Sequence, residues 1–175
     1  LGQSNLKPKT ILNADFFTVL DKNRLGLFNR NGQALTPFKY SEIKPVANFF
    51  FCYSGGVTDV LNDKGEMLYP ECEWVEFDPI SEKLAFRKGD KIYFSSTNKV
   101  IPMKLMLNVR PKVYFNDKLY LNNGSVYSDD GTKTEGDFGS FTQLEYLGNG
   151  LFSIEDFKQP LRVFNLDGAR INLPH

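Results

Sequence analysis

The chain is poor in the side chains that most enzymes and metal sites rely on. Among 175 residues there are one histidine and two cysteines. The histidine, His175, is the last residue, so a Ser-His-Asp or Cys-His arrangement would have to be built on a fraying end. Cys52 and Cys72 stand without CxxC spacing and with no histidine near them. That pattern gives no ground for a zinc site or a thiol redox motif and leaves two buried free thiols as the expectation. The patterns GxxxxGKS/T, GxGxxG and HExxH do not occur, so neither a phosphate cradle nor a zinc-protease helix is indicated, and no cofactor or metal is implied.

Net charge is missing too. Lys and Arg number 21 against 21 Asp and Glu, and the basic residues are dispersed, with Arg87-Lys88 only a pair. Nucleic acid and anionic membranes therefore have no electrostatic claim on the chain. The longest apolar cluster, Val46 to Tyr53, is interrupted by Asn48 and falls far below the roughly 18 residues of a membrane-spanning helix. No stretch near the N-terminus has the basic, apolar and small-residue order of a signal peptide, yet the chain starts at Leu1 rather than Met. This start is read as processing or truncation, with a bacterial envelope or secreted location as the expectation.

What is abundant points one way. Sixteen Phe, eight Tyr, fourteen Gly and nine Pro favour short strands and many turns over helices, which predicts an all-β chain. A repeat organises it. Five segments share two strand residues, a polar residue and a turn ending in Gly or Asn: Leu27 to Gly32, Val60 to Gly65, Tyr93 to Asn98, Val126 to Gly131 and Val163 to Gly168. The anchors Gly32, Gly65, Asn98, Gly131 and Gly168 are separated by 33, 33, 33 and 37 residues. Gly and Asn fit there because a tight hairpin turn demands positive φ. Three residues after the anchors come Leu35, Leu68, Ile101, Thr134 and Ile171, marking a second hairpin strand. Upstream lie the strand-like runs Phe16 to Leu20, Phe49 to Tyr53, Lys83 to Arg87, Lys118 to Leu121 and Leu151 to Glu155.

A unit of this length holds three or four short strands, about five residues each with connections of about three. Such a unit cannot bury both sheet faces alone and must stack on its neighbours. The sequence thus predicts one β-repeat domain over 1–175, of five antiparallel units, as a small five-bladed propeller-like ring or, alternatively, an open β-solenoid. Leu6-Lys7-Pro8 resembles Ile43-Lys44-Pro45, while the last unit stops seven residues past its anchor. The first strand is accordingly expected to complete the last blade and close the ring, which would remove exposed sheet edges.

The segment Arg24-Leu25-Gly26-Leu27-Phe28-Asn29-Arg30-Asn31-Gly32, continuing to Tyr40, resembles the bacterial WG repeat, also called KWG. Gly26, Gly32, Leu35, Pro37, Tyr40 and Glu42 fall on that pattern, and Asn62 to Pro70 follows it in the second unit. Leu25 stands where the family has Trp, and none of the five units carries that Trp. The resemblance implies a repeated β-scaffold with binding roles and no shared catalytic residues.

The densest carboxylate group is Glu71-Cys72-Glu73-Trp74-Val75-Glu76-Phe77-Asp78. As one strand it would place Glu71 and Glu73 on one face and Trp74, Glu76 and Asp78 on the other. Acids beside an aromatic ring suit a sugar, the ring stacking on the pyranose and the acids accepting its hydroxyl protons or doing acid–base work. That reading requires Trp74 exposed. The alternative is a solvated strand whose Trp74 fills a core. Asp129-Asp130-Gly131 and Asp63-Lys64-Gly65 lack calcium-loop spacing and read as turns, as does Asn123-Gly124-Ser125 despite its formal glycosylation pattern. Of Phe49-Phe50-Phe51, one must face away from its neighbours, and an exposed member would be a partner contact. With no coherent catalytic set, the leading expectation is a non-enzymatic interaction module for a protein or peptide. Carbohydrate binding or processing around Trp74 is the runner-up, and a structural segment of a larger protein a third reading.

Overall fold

The structure is a computed structural model that describes residues 7–97, 99–103, 109–134, 141, 143–156 and 159–172. The anchor Asn98, Leu6 and His175 lie outside the described residues. Every described element is a strand, and the strands form five antiparallel sheets taken in chain order. The first sheet has three: β1 (Lys7–Ile11), β2 (Phe16–Asp21) and β3 (Arg24–Asn29). The second has β4 (Glu42–Val46), β5 (Phe49–Ser54), β6 (Val57–Asn62) and β7 (Met67–Cys72). The third has β8 (Trp74–Asp78), β9 (Lys83–Lys88), β10 (Lys91–Phe94) and β11 (Val100–Pro102). The fourth has β12 (Pro111–Phe115), β13 (Lys118–Leu121), β14 (Val126–Ser128) and β15 (Lys133–Thr134). The fifth has β16 (Gln143–Gly148), β17 (Leu151–Asp156), β18 (Gln159–Asn165) and β19 (Arg170–Ile171). In the first sheet the fourth strand is reduced to a bridge between Phe28 and Ala34. The fold is thus all-β, built of five successive antiparallel sheets, and β2, β5, β9, β13 and β17 coincide with the five upstream runs of the repeat.

The turn chemistry explains why the blades recur. Gly32, Gly65, Gly131 and Gly168 have φ of 78°, 80°, 84° and 84°. Each donates its N–H to the carbonyl three residues earlier, at 2.9 to 3.0 Å. In three units that earlier residue is Asn, and its Oδ1 closes the turn from the side chain. Asn29 accepts from the N–H groups of Asn31 and Gln33, Asn62 from those of Lys64 and Glu66, and Asn165 from that of Ala169. The polar position of the motif is therefore a side-chain turn cap. Asn123-Gly124-Ser125 is also a turn, with Gly124 at φ 84° and the Ser125 N–H on Asn123 Oδ1.

One expectation is overturned. β1 pairs with β2 in its own sheet, Ile11 opposite Phe17, and the fifth sheet takes its fourth strand from its own unit as β16. No strand is exchanged between the first and last blades among the described residues. A strand adjacent in sequence closes a loop of a few residues, whereas a strand from the far end must close most of the chain.

The chain divides into two compact units, Leu1–Trp74 and Val75–His175. In the first, Leu25, Leu27, Leu35 and Tyr40 from the first repeat meet Ile43, Phe50, Cys52 and Leu61 of the second sheet in one core. Phe50 and Phe51 are both buried, on opposite faces of β5, and Phe49 is half-buried, so none of the three is the exposed contact considered above. Cys52 and Cys72 are both buried, and neither is in a disulfide. In the second, Phe115, Tyr120 and Val126 of the fourth sheet pack with Phe141 and with Phe152, Ile154 and Phe164 of the fifth.

Candidate functional site

The residues singled out in sequence do not share one strand. β7 ends at Cys72 and β8 starts at Trp74, with Glu73 at a bend between them and Glu71 at φ 56°. The predicted alternation over Glu71 to Asp78 is therefore lost. The cause is Asp59: the strained backbone at Glu71 turns its N–H onto Asp59 Oδ1 at 2.7 Å. Glu71 and Glu73 are exposed, while Trp74 is half-buried rather than open. Glu76 is half-buried, and burial pushes its carboxyl up to about 7. Asp78 is fully buried and occupied by donors: its Oδ1 accepts the Ile80 N–H at 2.9 Å, and its Oδ2 accepts the Ser81 hydroxyl at 2.6 Å and the Asp117 N–H at 2.9 Å. Asp78 thus holds two loops in place, which leaves Glu76 without it as an acid–base partner.

Two polar clusters emerge that the sequence reading did not single out. In the first unit Asp59, 2% exposed, lies between the Lys39 ammonium at 2.6 Å, the Tyr40 hydroxyl donating at 2.8 Å and the Glu71 N–H. Burial works against its charge, but Lys39 and the two other donors outweigh that and hold the carboxyl below the usual range. Burial and the Asp59 charge push the Cys52 thiol up to about 12, and Tyr40 is likewise raised by burial and by its hydrogen bond to Asp59. Both groups stay protonated at neutral pH, so Cys52 is no nucleophile. In the second unit Lys83 Nζ bridges Asp117 at 2.9 Å and Asp129 at 3.1 Å, and Asp129 also accepts from the Ser96 hydroxyl. Hydrogen bonding to Asp117 and Asp129 carries the lysine above its ordinary range. Asp129-Asp130-Gly131 is a turn as expected, with Gly131 at φ 84°, and Asp129 is engaged by Lys83. Among the described residues no three His, Cys, Asp or Glu side chains gather as a metal site would require.

A groove of about 290 Å³ lies on the first sheet, lined by Pro8, Ile11, Ala14, Phe17, Asp15 and Arg30 among others. Its shape follows from the strand connection after β1. Asn13 Oδ1 caps that turn by accepting the N–H groups of Asp15 and Phe16, and the Arg30 N–H donates to the Asp15 carbonyl at 2.7 Å. Ile11 is 78% exposed. Behind it, Phe17 stacks on Phe28 at 5.8 Å between centroids and Phe28 meets Phe38 at 5.7 Å. Gly26 makes this wall possible, because a Cβ there would lie 3.2 Å from both Phe28 and Phe38. Arg30 Nη1 and Asp15 Oδ1, 3.4 Å apart and both exposed, sit at the rim. The sequence signal for this groove was weak: an apolar pair, Ile11-Leu12, before a polar turn and five residues ahead of the run that starts at Phe16.

No family model matches the chain, and neither does any curated protein. Solved structures do resemble it. Kluyveromyces lactis Hsv2 is similar at 11% identity with a TM-score of 0.47, over 95% of this chain and 63% of that one. The WD40 β-propeller domain of Doa1 is similar at 14% identity and a TM-score of 0.43, over 91% and 65% of the two chains. The Neurospora crassa Pan2 WD40 domain is similar at 11% identity and 0.41, over 92% and 62%. The chain thus spans less than two-thirds of the length of each of these structures.

Proposed function

We propose that the chain is a non-catalytic interaction module that takes a segment of a protein or peptide, with the groove of the first sheet receiving a bulky apolar side chain. The observation that carries this reading is Ile11, held almost fully in water over an aromatic wall that could bury it. An exposed branched apolar residue in a concave, mostly apolar setting gains free energy only when something covers it. The rim fits a peptide as well. The Arg30–Asp15 pair is exposed and long, contributes little to the fold, and exchanges readily for a carboxylate or amide of a ligand. The most buried acids, Asp59 and Asp78, are meanwhile committed to structural donors. In this reading the chain is also a divergent WG-type repeat, whose Gly26 is needed for the close approach of Phe38.

The test is selection from a random peptide display library on the whole chain, followed by binding of the selected peptides to the wild type and to Ile11→Lys. Peptides with a common aromatic or aliphatic anchor that lose at least tenfold in affinity for Ile11→Lys support the proposal. Selection of peptides indifferent to Ile11→Lys, or of none, overturns it. A glycan array on the same protein, retained by the wild type and lost by Trp74→Ala, would replace it with carbohydrate recognition.

A further inference from the structure

Arg162 lies on β18, six residues before the turn residue Gly168, with Ile154 as its cross-strand neighbour. It is 7% exposed, and its Nε and Nη2 are closed to solvent and have no hydrogen-bond partner among the described residues. These two nitrogens share one edge of the guanidinium, the edge that offers two parallel N–H bonds to a carboxylate or a phosphate. The group cannot shed its proton to escape burial, as a lysine or a carboxylic acid does. An uncompensated buried charge is among the least favourable arrangements in a fold.

The repeat supplies the contrast. Asp59 stands six residues before Gly65, the same position of the second unit, and there every demand is met by Lys39, Tyr40 and the Glu71 N–H. The chain places a buried charge twice at one position and furnishes partners once. On its own face of the sheet Arg162 stands with Ile154, Phe164 and Phe152, which belong to the apolar core with Phe141. On the other side lies the end of the hairpin, where Asp156 pairs with Gln159 and the register slips between Ile154 and Asp156. The β17–β18 ladder is locally irregular there.

We propose that the Nε–Nη2 edge of Arg162 is a receptor for a two-oxygen oxyanion, a carboxylate or phosphate group carried by a bound ligand. The oxyanion accepts both N–H bonds side by side, neutralises the guanidinium, and is held in a low-dielectric setting where the pairing is strong. This site is separate from the groove at Ile11 and does not depend on it.

The test is the thermal midpoint of the whole chain titrated with sodium phosphate, with sodium acetate, and with the capped peptide acetyl-Gly-Glu-Gly-amide, each against sodium chloride at equal ionic strength. A saturable rise of about 3–6 °C at tenfold the apparent Kd, beyond that of chloride, is expected for one of them. Response to the inorganic or small organic anion identifies a free ligand, and response to the peptide alone identifies a side-chain carboxylate of a protein. Arg162→Met is expected to lose the response and to melt no lower than the wild type in anion-free buffer, since it removes an unpaired charge. A wild type indifferent to all three probes overturns the proposal, as does a response that survives in Arg162→Met. So does an Arg162→Met chain that melts far lower without anion or fails to fold, because that shows a partner within the chain.

Discussion

The two compact units solve the same problem differently. Both stack thin antiparallel sheets, but in the first a single buried carboxylate, Asp59, is met by the Lys39 ammonium, the Tyr40 hydroxyl and the Glu71 N–H and set beside an apolar core. In the second, Lys83 lies between Asp117 and Asp129 in a cluster that is partly open to water. Chemistry of this kind follows depth rather than repeat position. Where a carboxylate is buried, as at Asp59 and at Asp78 of the second unit, donors surround it, whereas a charge at the surface can be paired loosely at little cost.

Asp59→Ala breaks this contrast most directly. It leaves the Tyr40 hydroxyl and the Glu71 N–H unpaired, while the half-exposed Lys39 ammonium returns to water, and the expected loss is about 2–4 kcal/mol by urea unfolding. The pH dependence has a defined sign. The folded carboxyl is held below its usual range, so its stabilisation is present above the unfolded value near 3.8 and is lost as pH falls through the folded one. Wild-type unfolding in acid should therefore steepen in a way that Asp59→Asn abolishes.

Gly65→Ala is expected to cost about 2–3 kcal/mol and Gly32→Ala about 1–2 kcal/mol. Both residues have positive φ, but a Cβ on Gly65 would lie 2.5 Å from Leu35 Cδ1, whereas Gly32 faces open space. Thermal melts of the two variants separate backbone strain from packing at equivalent positions.

Glu76 gives the second unit the opposite pH response. Its carboxyl is raised from 4.5 to about 7 by burial, so its ionisation costs nothing below 4.5 and destabilises the fold progressively up to 7. Stability should fall as pH rises across that window, and Glu76→Gln should remove the slope and gain about 1–3 kcal/mol at pH 8. Chemical denaturation at pH 5 and pH 8 measures both. The smallest effect is expected from Lys83→Met, under about 1 kcal/mol, because its pairs are partly solvated, and added salt should shrink it further.

The fold was legible because its determinants are local. A positive-φ glycine, an Asn three residues before it and an alternating run are read within ten residues of one another, and the structure places a strand or turn at each. The pairings between units of the repeat were not legible, since Asp59 and Lys39, or Lys83 and Asp129, lie 20 and 46 residues apart with nothing in either segment naming the other. Asp59 within Val57-Thr58-Asp59-Val60-Leu61 and Arg162 within Leu161-Arg162-Val163-Phe164 did carry a signal, a single charge in an apolar strand at one repeat position. The strand predicted over Glu71 to Asp78 failed for the same reason: the break serves Asp59, twelve residues away.

Among the described residues every sheet is built from strands contiguous in the chain, and none lends a strand to another. A stretch of coding sequence for one unit can then be duplicated or deleted without orphaning a strand elsewhere. Such an architecture changes length by whole modules under recombination, and its turns, capped by their own Asn and Gly, travel with each copy. Diversification of the faces between copies, as at Asp59 and Arg162, then proceeds one module at a time.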